Sequence, residues 1–343
     1  MPSMRTELTE ITTGVAMMGS ETLGEAYGSE RPPPELRNVD EQKWTALKEA
    51  IHTREYEAEF LAAFNNGRSF LKAVDGLNGR IPRIVEWRGP HRDPAESAVP
   101  ADLRVDHVYL VSCKYLSKVL TNASPWSLFD RCLQGAQGSR GPGDWYSEVA
   151  PAEHQNLYSA VKRQVIDGGL LPEKVGDLST NERRQIAHDT ARDSSQVTQA
   201  YADLIEGVSI RSAQRWQDHL RSSRDQELML WRLLRLSATP YFVLGTGAGE
   251  SLRLRVATPW DWRQEYQLAH FEVTAEGGGQ PRVGWSATVL KTAKASNITT
   301  ESEQLVQGHV EIRWSHGRFG GHPEAKIYID TPHSKVAGYY PIK

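Results

Sequence analysis

Cysteine is nearly missing from this chain: its 343 residues include only Cys113 and Cys132. A disulfide framework is excluded, as is a CxxC or mixed Cys/His zinc ligand set, and the compartment expected from this usage is the reducing cytoplasm. Long apolar runs are missing too. No window reaches the roughly 18 residues of a membrane span, and no basic stretch followed by an apolar run opens the chain, so neither export nor membrane insertion is expected. The sequons Asn122-Ala123-Ser124 and Asn297-Ile298-Thr299 then carry no glycosylation meaning. GxSxG, P-loop and SxxK patterns do not occur, which leaves serine-hydrolase, nucleotide-binding and penicillin-binding chemistry without positive support. Gly245-Thr246-Gly247-Ala248-Gly249 is followed by Glu250 and flanked by strand-like sequence, so it reads as a hairpin turn rather than a dinucleotide loop. His309, His316, His322 and His333 match no zinc-protease or zinc-finger spacing.

What is present describes a globular protein, with 39% hydrophobic and 24% charged residues and with Gly and Pro spread along the chain. At roughly 150 residues per domain the length suits about two domains. The net charge of −3 is uneven. Residues 1–50 hold nine acids against five bases, whereas 68–131 hold ten bases against seven acids. The objection that an acidic protein avoids polyanions therefore does not apply to the middle of the chain.

Residues 1–40 are poor in large apolar side chains and end near Pro32-Pro33-Pro34, which reads as a mobile arm. Apolar residues then recur at helical spacing from Glu41 to Leu77, predicting two helices with Asn65-Asn66-Gly67 as a break. A strand is expected at Ile84–Trp87, then a Pro- and charge-rich loop, an apolar stretch at 103–116, and a helical segment from Lys118 to Leu133. Residues 145–237 show helical patterning, and from Tyr241 onward the period becomes two. The resulting expectation is an α+β or α/β chain. Its parts are an arm at 1–40, an α/β domain at 41–143, a helical region at 144–238 and an antiparallel β-rich region at 239–343.

The segment Pro100-Ala101-Asp102 to Ser112-Cys113-Lys114 carries the most chemical information. As one straight strand it would hold Asp106 and Lys114 roughly 26 Å apart, too far to cooperate. A two-residue turn at Asp106-His107 instead sets Val105 against Val108 and Asp102 against Val111, and brings Asp102 beside Ser112 and Lys114. Ser112 and Lys114, two residues apart, share a face.

These residues resemble the PD-(D/E)xK, or restriction-endonuclease-like, nuclease superfamily in a degenerate Ser-x-Lys form. The resemblance covers about 55–135. It implies an endonuclease-like α/β core in which Asp102 holds Mg²⁺ and Lys114 orients the attacking water and stabilises transition-state charge. The family's second acid is Ser112 here, and Pro-x-Asp stands for Pro-Asp. Some relatives supply the missing carboxylate from the following helix, where this chain has Trp126 and Ser127 with Asp130 nearest; Glu57, Glu59 and Glu86 are other donors, and Glu59 and Glu86 are preferred. The function implied is a Mg²⁺-dependent DNA endonuclease of restriction or genome-defence type, acting on double-stranded DNA and plausibly dimeric. The alternative is a non-catalytic DNA-binding or adaptor subunit of a multi-protein defence complex.

Arg68, Arg88, Lys118, Arg313 and Arg318 are candidate nucleic-acid contacts. Arg313-Trp314-Ser315-His316-Gly317-Arg318 combines bases with an aromatic and a flexible turn. Glu324-Ala325-Lys326, a literal Glu-x-Lys that begins a strand, is a reserve catalytic pair. Trp260, Trp262, Trp285 and Trp314, with Arg253, Arg255 and Arg263, form either a recognition surface or a β-sheet core. The bases of the middle helices, interleaved with acids, read as a solvated face.

Overall fold

A computed structural model describes residues 4–89, 99–115, 119–133, 143–165, 168–189, 195–247, 250–295 and 298–343. The chain is mixed α+β and divides into two compact units, each discontinuous in sequence. The first comprises Met1–Lys118, Arg235–Glu265 and Pro332–Lys343; the second comprises Val119–Leu234 and Tyr266–Thr331. The expected segments at 41–143, 144–238 and 239–343 are therefore not the units of the fold.

In chain order the first unit opens with α1 (Met4–Ala16), α2 (Leu23–Ala26), β1 (Leu36–Arg37), α3 (Glu41–His52), α4 (Glu57–Lys72), β2 (Val85–Trp87), β3 (Leu103–Val105) and β4 (Tyr109–Tyr115). The second unit then begins with β5 (Val119–Ala123), α5 (Trp145–Val149), α6 (Pro151–Lys162), α7 (Thr180–Asp189), α8 (Ser195–His219) and α9 (Ser223–Leu233). The chain returns to the first unit for β6 (Tyr241–Gly247), β7 (Glu250–Val256) and α10 (Pro259–Glu265). It supplies β8 (Tyr266–Glu276), β9 (Arg282–Ala295), β10 (Ile298–Arg313) and β11 (Glu324–Ile329) to the second unit, and β12 (Tyr339–Pro341) to the first.

The first unit holds a seven-stranded mixed sheet in the order β1-β2-β3-β4-β6-β7-β12. Strands β2, β3 and β4 form an antiparallel meander, and β6 lies parallel to β4. Local signals set its helix starts: Asp40 accepts from the Lys43 amide at 2.7 Å to cap α3, and Thr22 with Glu25 forms a capping box on α2. Alternate residues Leu103, Val105, Val111 and Cys113 face a core shared with α1, α3 and α4.

Residues 4–16, expected as a mobile arm, are instead a docked helix. Leu8, Ile11 and Val15 recur at helical spacing and are buried in that core. Each contributes about 1.5–3 kcal/mol, enough to offset the entropy of ordering the segment. The break expected at Asn65-Asn66-Gly67 is also absent, because α4 runs through it. Gly67 serves packing: a Cβ there would lie 2.1 Å from the Thr13 carbonyl oxygen, so the glycine lets α1 approach α4.

The second unit holds a five-stranded antiparallel sheet, order β5-β11-β10-β9-β8. The helix expected across Lys118–Leu133 is replaced by β5, paired with β11, and a π-helical turn at Trp126–Asp130. A run of rings, Phe129, Trp145, Trp216, Phe271 and Trp285, joins the helices to the sheet. Trp262 and Trp285 are thus core residues in their respective units, while Trp260 is 70% exposed and Trp314 half-buried. Among the described residues no helix is long and apolar enough to cross a membrane.

Candidate functional site

The β3–β4 hairpin turns at Asp106 and His107, whose φ values of 50° and 58° fall in the left-handed region that Asp and His tolerate better than most side chains. The Asp106 carboxylate accepts from the amides of Arg83 (2.8 Å) and Ile84 (3.2 Å), which anchors the turn to the segment before β2. The expected hairpin is present, one residue out of the expected register. Val105 pairs with Tyr109 and Leu103 with Val111, so the next residue toward Asp102 is met by Ser112. The Val108 amide still donates to the Val105 carbonyl at 3.0 Å.

Asp102 is 4% exposed. Its Oδ2 accepts from the Cys113 amide at 2.7 Å and from the Ser112 hydroxyl at 3.3 Å. The Asp102 backbone is held too, with its amide donating to the Val111 carbonyl and its carbonyl accepting from the Arg88 amide, both at 2.8 Å. Strand alternation places Lys114 on the Ser112 face, half-buried, and Cys113 on the opposite, core-facing side. Opposite Lys114 stands Gly245, where a Cβ would lie 2.3 Å from the Lys114 carbonyl oxygen. Only a glycine allows β6 to pair at that point.

A second buried carboxylate borders this end of the sheet. Glu10, in α1, is 5% exposed and accepts from the Trp87 indole at 2.7 Å. Burial first, then the negative charges of Asp102 and Glu10, push the Cys113 thiol well above its ordinary range. Cys113 is therefore an inert packing residue. Glu10 was not legible because it falls in the segment read as an arm; the helical spacing of Leu8, Ile11 and Val15 was the available signal.

The preferred second acids are placed elsewhere. Glu86 shares the Ser112 face of the sheet, but it pairs with Arg104 at 2.6 and 2.9 Å, and His107 lies 3.1 Å from it. The Arg104 hydrogen bonds hold its carboxyl below the usual carboxylate range. Glu59 sits in α4 over the other face and pairs with Arg5 at 2.9 Å. Asp130 belongs to the second unit and is bound by Arg215. Among the candidate bases, Arg68 is engaged with Ser20 and Glu21 beside a cavity of about 610 Å³ that Lys72 and Arg253 also line. Arg88 is buried next to Asp102 in sequence register, and Lys118 lies outside the described residues. Arg313, Arg318, Glu324 and Lys326 are all in the second unit.

Hard oxygen donors, the Asp102 carboxylate and the Ser112 hydroxyl, suit Mg²⁺, which is commonly held by one or two carboxylates with waters and substrate phosphates. The described residues contain no group of three or more His, Cys, Asp or Glu gathered as metal ligands. Any ion here would draw on one protein carboxylate and on the substrate. Comparison of the chain with family models, curated proteins and solved structures gave no match.

Proposed function

We propose that the first unit is the catalytic part of a Mg²⁺-dependent DNA endonuclease of restriction or genome-defence kind. The observation that supports it is the contact of Asp102 with Ser112, with Lys114 two residues further along the same strand face. This is the arrangement that the resemblance to PD-(D/E)xK nucleases asks of those residues. Mg²⁺, when bound, polarises a phosphate oxygen and lowers the pKa of the attacking water. Asp102 and Ser112 would hold the ion with oxygen ligands, and the Lys114 ammonium would orient the water and stabilise charge developing on the phosphate. The test is Mg²⁺-dependent cleavage of modified and unmodified duplex DNA. Lys114→Ala is expected to cut at least about 100-fold more slowly than the unaltered protein. Equal cleavage by both proteins, or none by either, overturns the reading.

The pairing of Glu86 with Arg104 and of Glu59 with Arg5 favours one alternative, a DNA-binding or adaptor subunit that does not cut. Salt-dependent binding of DNA without cleavage is its expected result.

A further inference from the structure

The second unit contains a cationic cavity whose parts come from β10, β11, the loop between them and α8. Arg313 ends β10, Trp314, Ser315 and Arg318 lie in the loop, Lys326 is on β11 and Tyr201 is on α8. Register explains the convergence. Arg313 pairs with Glu324 and Glu311 with Lys326, so all four side chains share one face of the two strands. The loop is pinned rather than loose. Phe319, fully buried, stacks on His154 at 5.5 Å, and Trp314 packs edge-on against Tyr146 at 4.7 Å. Arg318, next to that anchor, lays its guanidinium over the Tyr201 ring at 4.9 Å.

The cavity measures about 430 Å³, and its described lining includes three cations and no carboxylate. Countercharge is near but loosely matched. Lys326, only 16% exposed, stands 4.0 Å from Glu324, which also takes the Ser315 hydroxyl. Arg313 is 3.4 Å from Glu311, which also accepts the Tyr328 hydroxyl at 2.9 Å. A phosphate oxygen can compete for cations shared in this way, and an aromatic beside them offers a face to a base. The volume falls within the range of small-ligand sites.

We propose that this cavity takes one nucleotide unit of a single-stranded nucleic acid segment, with the phosphate at Arg313 and Lys326 and the base against the Trp314 and Tyr201–Arg318 side. Binding here does not rest on the nuclease reading, because it requires neither Mg²⁺ nor Lys114. The experiment is fluorescence anisotropy of a labelled 12-nucleotide DNA strand with the full chain in EDTA, between 50 and 200 mM salt. The Lys114→Ala protein is expected to bind as tightly as the unaltered one. An Arg318→Ala, Lys326→Ala double variant is expected to bind at least tenfold more weakly, with the slope of log affinity against log salt smaller by about 1.4, at about 0.7 per lost single-strand phosphate contact. Arg318→Gln, which conserves side-chain bulk, should lose at least threefold and serves if the double variant does not fold. Arg221→Ala with Arg224→Ala, two exposed cations of the same unit, should bind normally. The proposal is overturned if the unaltered protein does not bind, if the cavity variants bind as it does, or if the Arg221, Arg224 control weakens as much as they do.

Discussion

In the first unit the buried polar side chains near the sheet have hydrogen-bond partners: Asp102 with the Cys113 amide and Ser112, Glu10 with the Trp87 indole, and Thr12 with the Tyr27 hydroxyl at 2.8 Å. In the second unit Asp144, His154 and Arg183 bury Oδ2, Nε2 and NH1 with no hydrogen-bond partner among the described residues. The Arg183 NH1 and Asp144 Oδ2 atoms lie 3.5 Å apart, and His322 is 3.7 Å from the same oxygen. His154 is fully buried among the rings of Tyr146, Trp314 and Phe319, and its Nδ1 meets the Ser147 hydroxyl at 2.9 Å. The difference teaches where pH can act. A carboxylate already bonded by amides and hydroxyls rigidifies a strand, whereas a neutral imidazole enclosed by rings must take up a proton in an apolar place once the medium turns acid.

The largest effect should come from that imidazole. Burial lowers the His154 pKa from 6.5 to about 4, with the nearby Asp144 charge opposing the shift and Arg183 adding to it. The folded value lies below the unfolded one, so the contribution to stability is complete above about pH 6.5 and is lost as the pH falls toward 4. Its full size is about 3 kcal/mol. His154→Gln should flatten denaturation free energy against pH across that window; an unchanged slope would show that other groups set it. Next, Asp102→Ala should cost about 2 kcal/mol in urea denaturation by leaving the buried Cys113 amide unsatisfied, and Asp102→Asn, which keeps an acceptor, should cost less than half as much. Equal losses for the two would mean that the contact is not what holds the strand. Smallest is Thr12→Val, expected to cost about 1 kcal/mol in the same measurement by removing the partner of the Tyr27 hydroxyl.

Much of the local structure was legible because local chemistry determines it. The helices at Glu41–His52 and Glu57–Lys72, the 103–115 hairpin and the period-two strands after Tyr241 follow from spacing and from the turn chemistry of Asp106. The juxtaposition of Asp102 and Ser112 was legible for the same reason, even with the register displaced by one. What escaped depends on partners distant in sequence. The strand at Val119–Ala123 exists by pairing with Glu324–Ile329, some 200 residues away, and nothing within 118–133 announces it. The engagement of Glu59 by Arg5 and the burial of Glu10 both depend on α1 docking through a few medium-sized apolar residues among threonines. The role of Gly67 was hidden too, since a glycine that stops a helix and one that lets two helices touch are identical in sequence.

The discontinuity of the two units also orders events on the ribosome. A nascent chain that has emerged through residue 331 contains every strand of the five-stranded sheet, while the seven-stranded sheet, begun more than 200 residues earlier, still lacks the edge that pairs with Leu254–Val256. Domains usually complete in the order in which they are synthesised. Here the unit that starts second is complete first, and the sheet that carries Asp102 and Lys114 acquires its last strand only after its neighbour has been made.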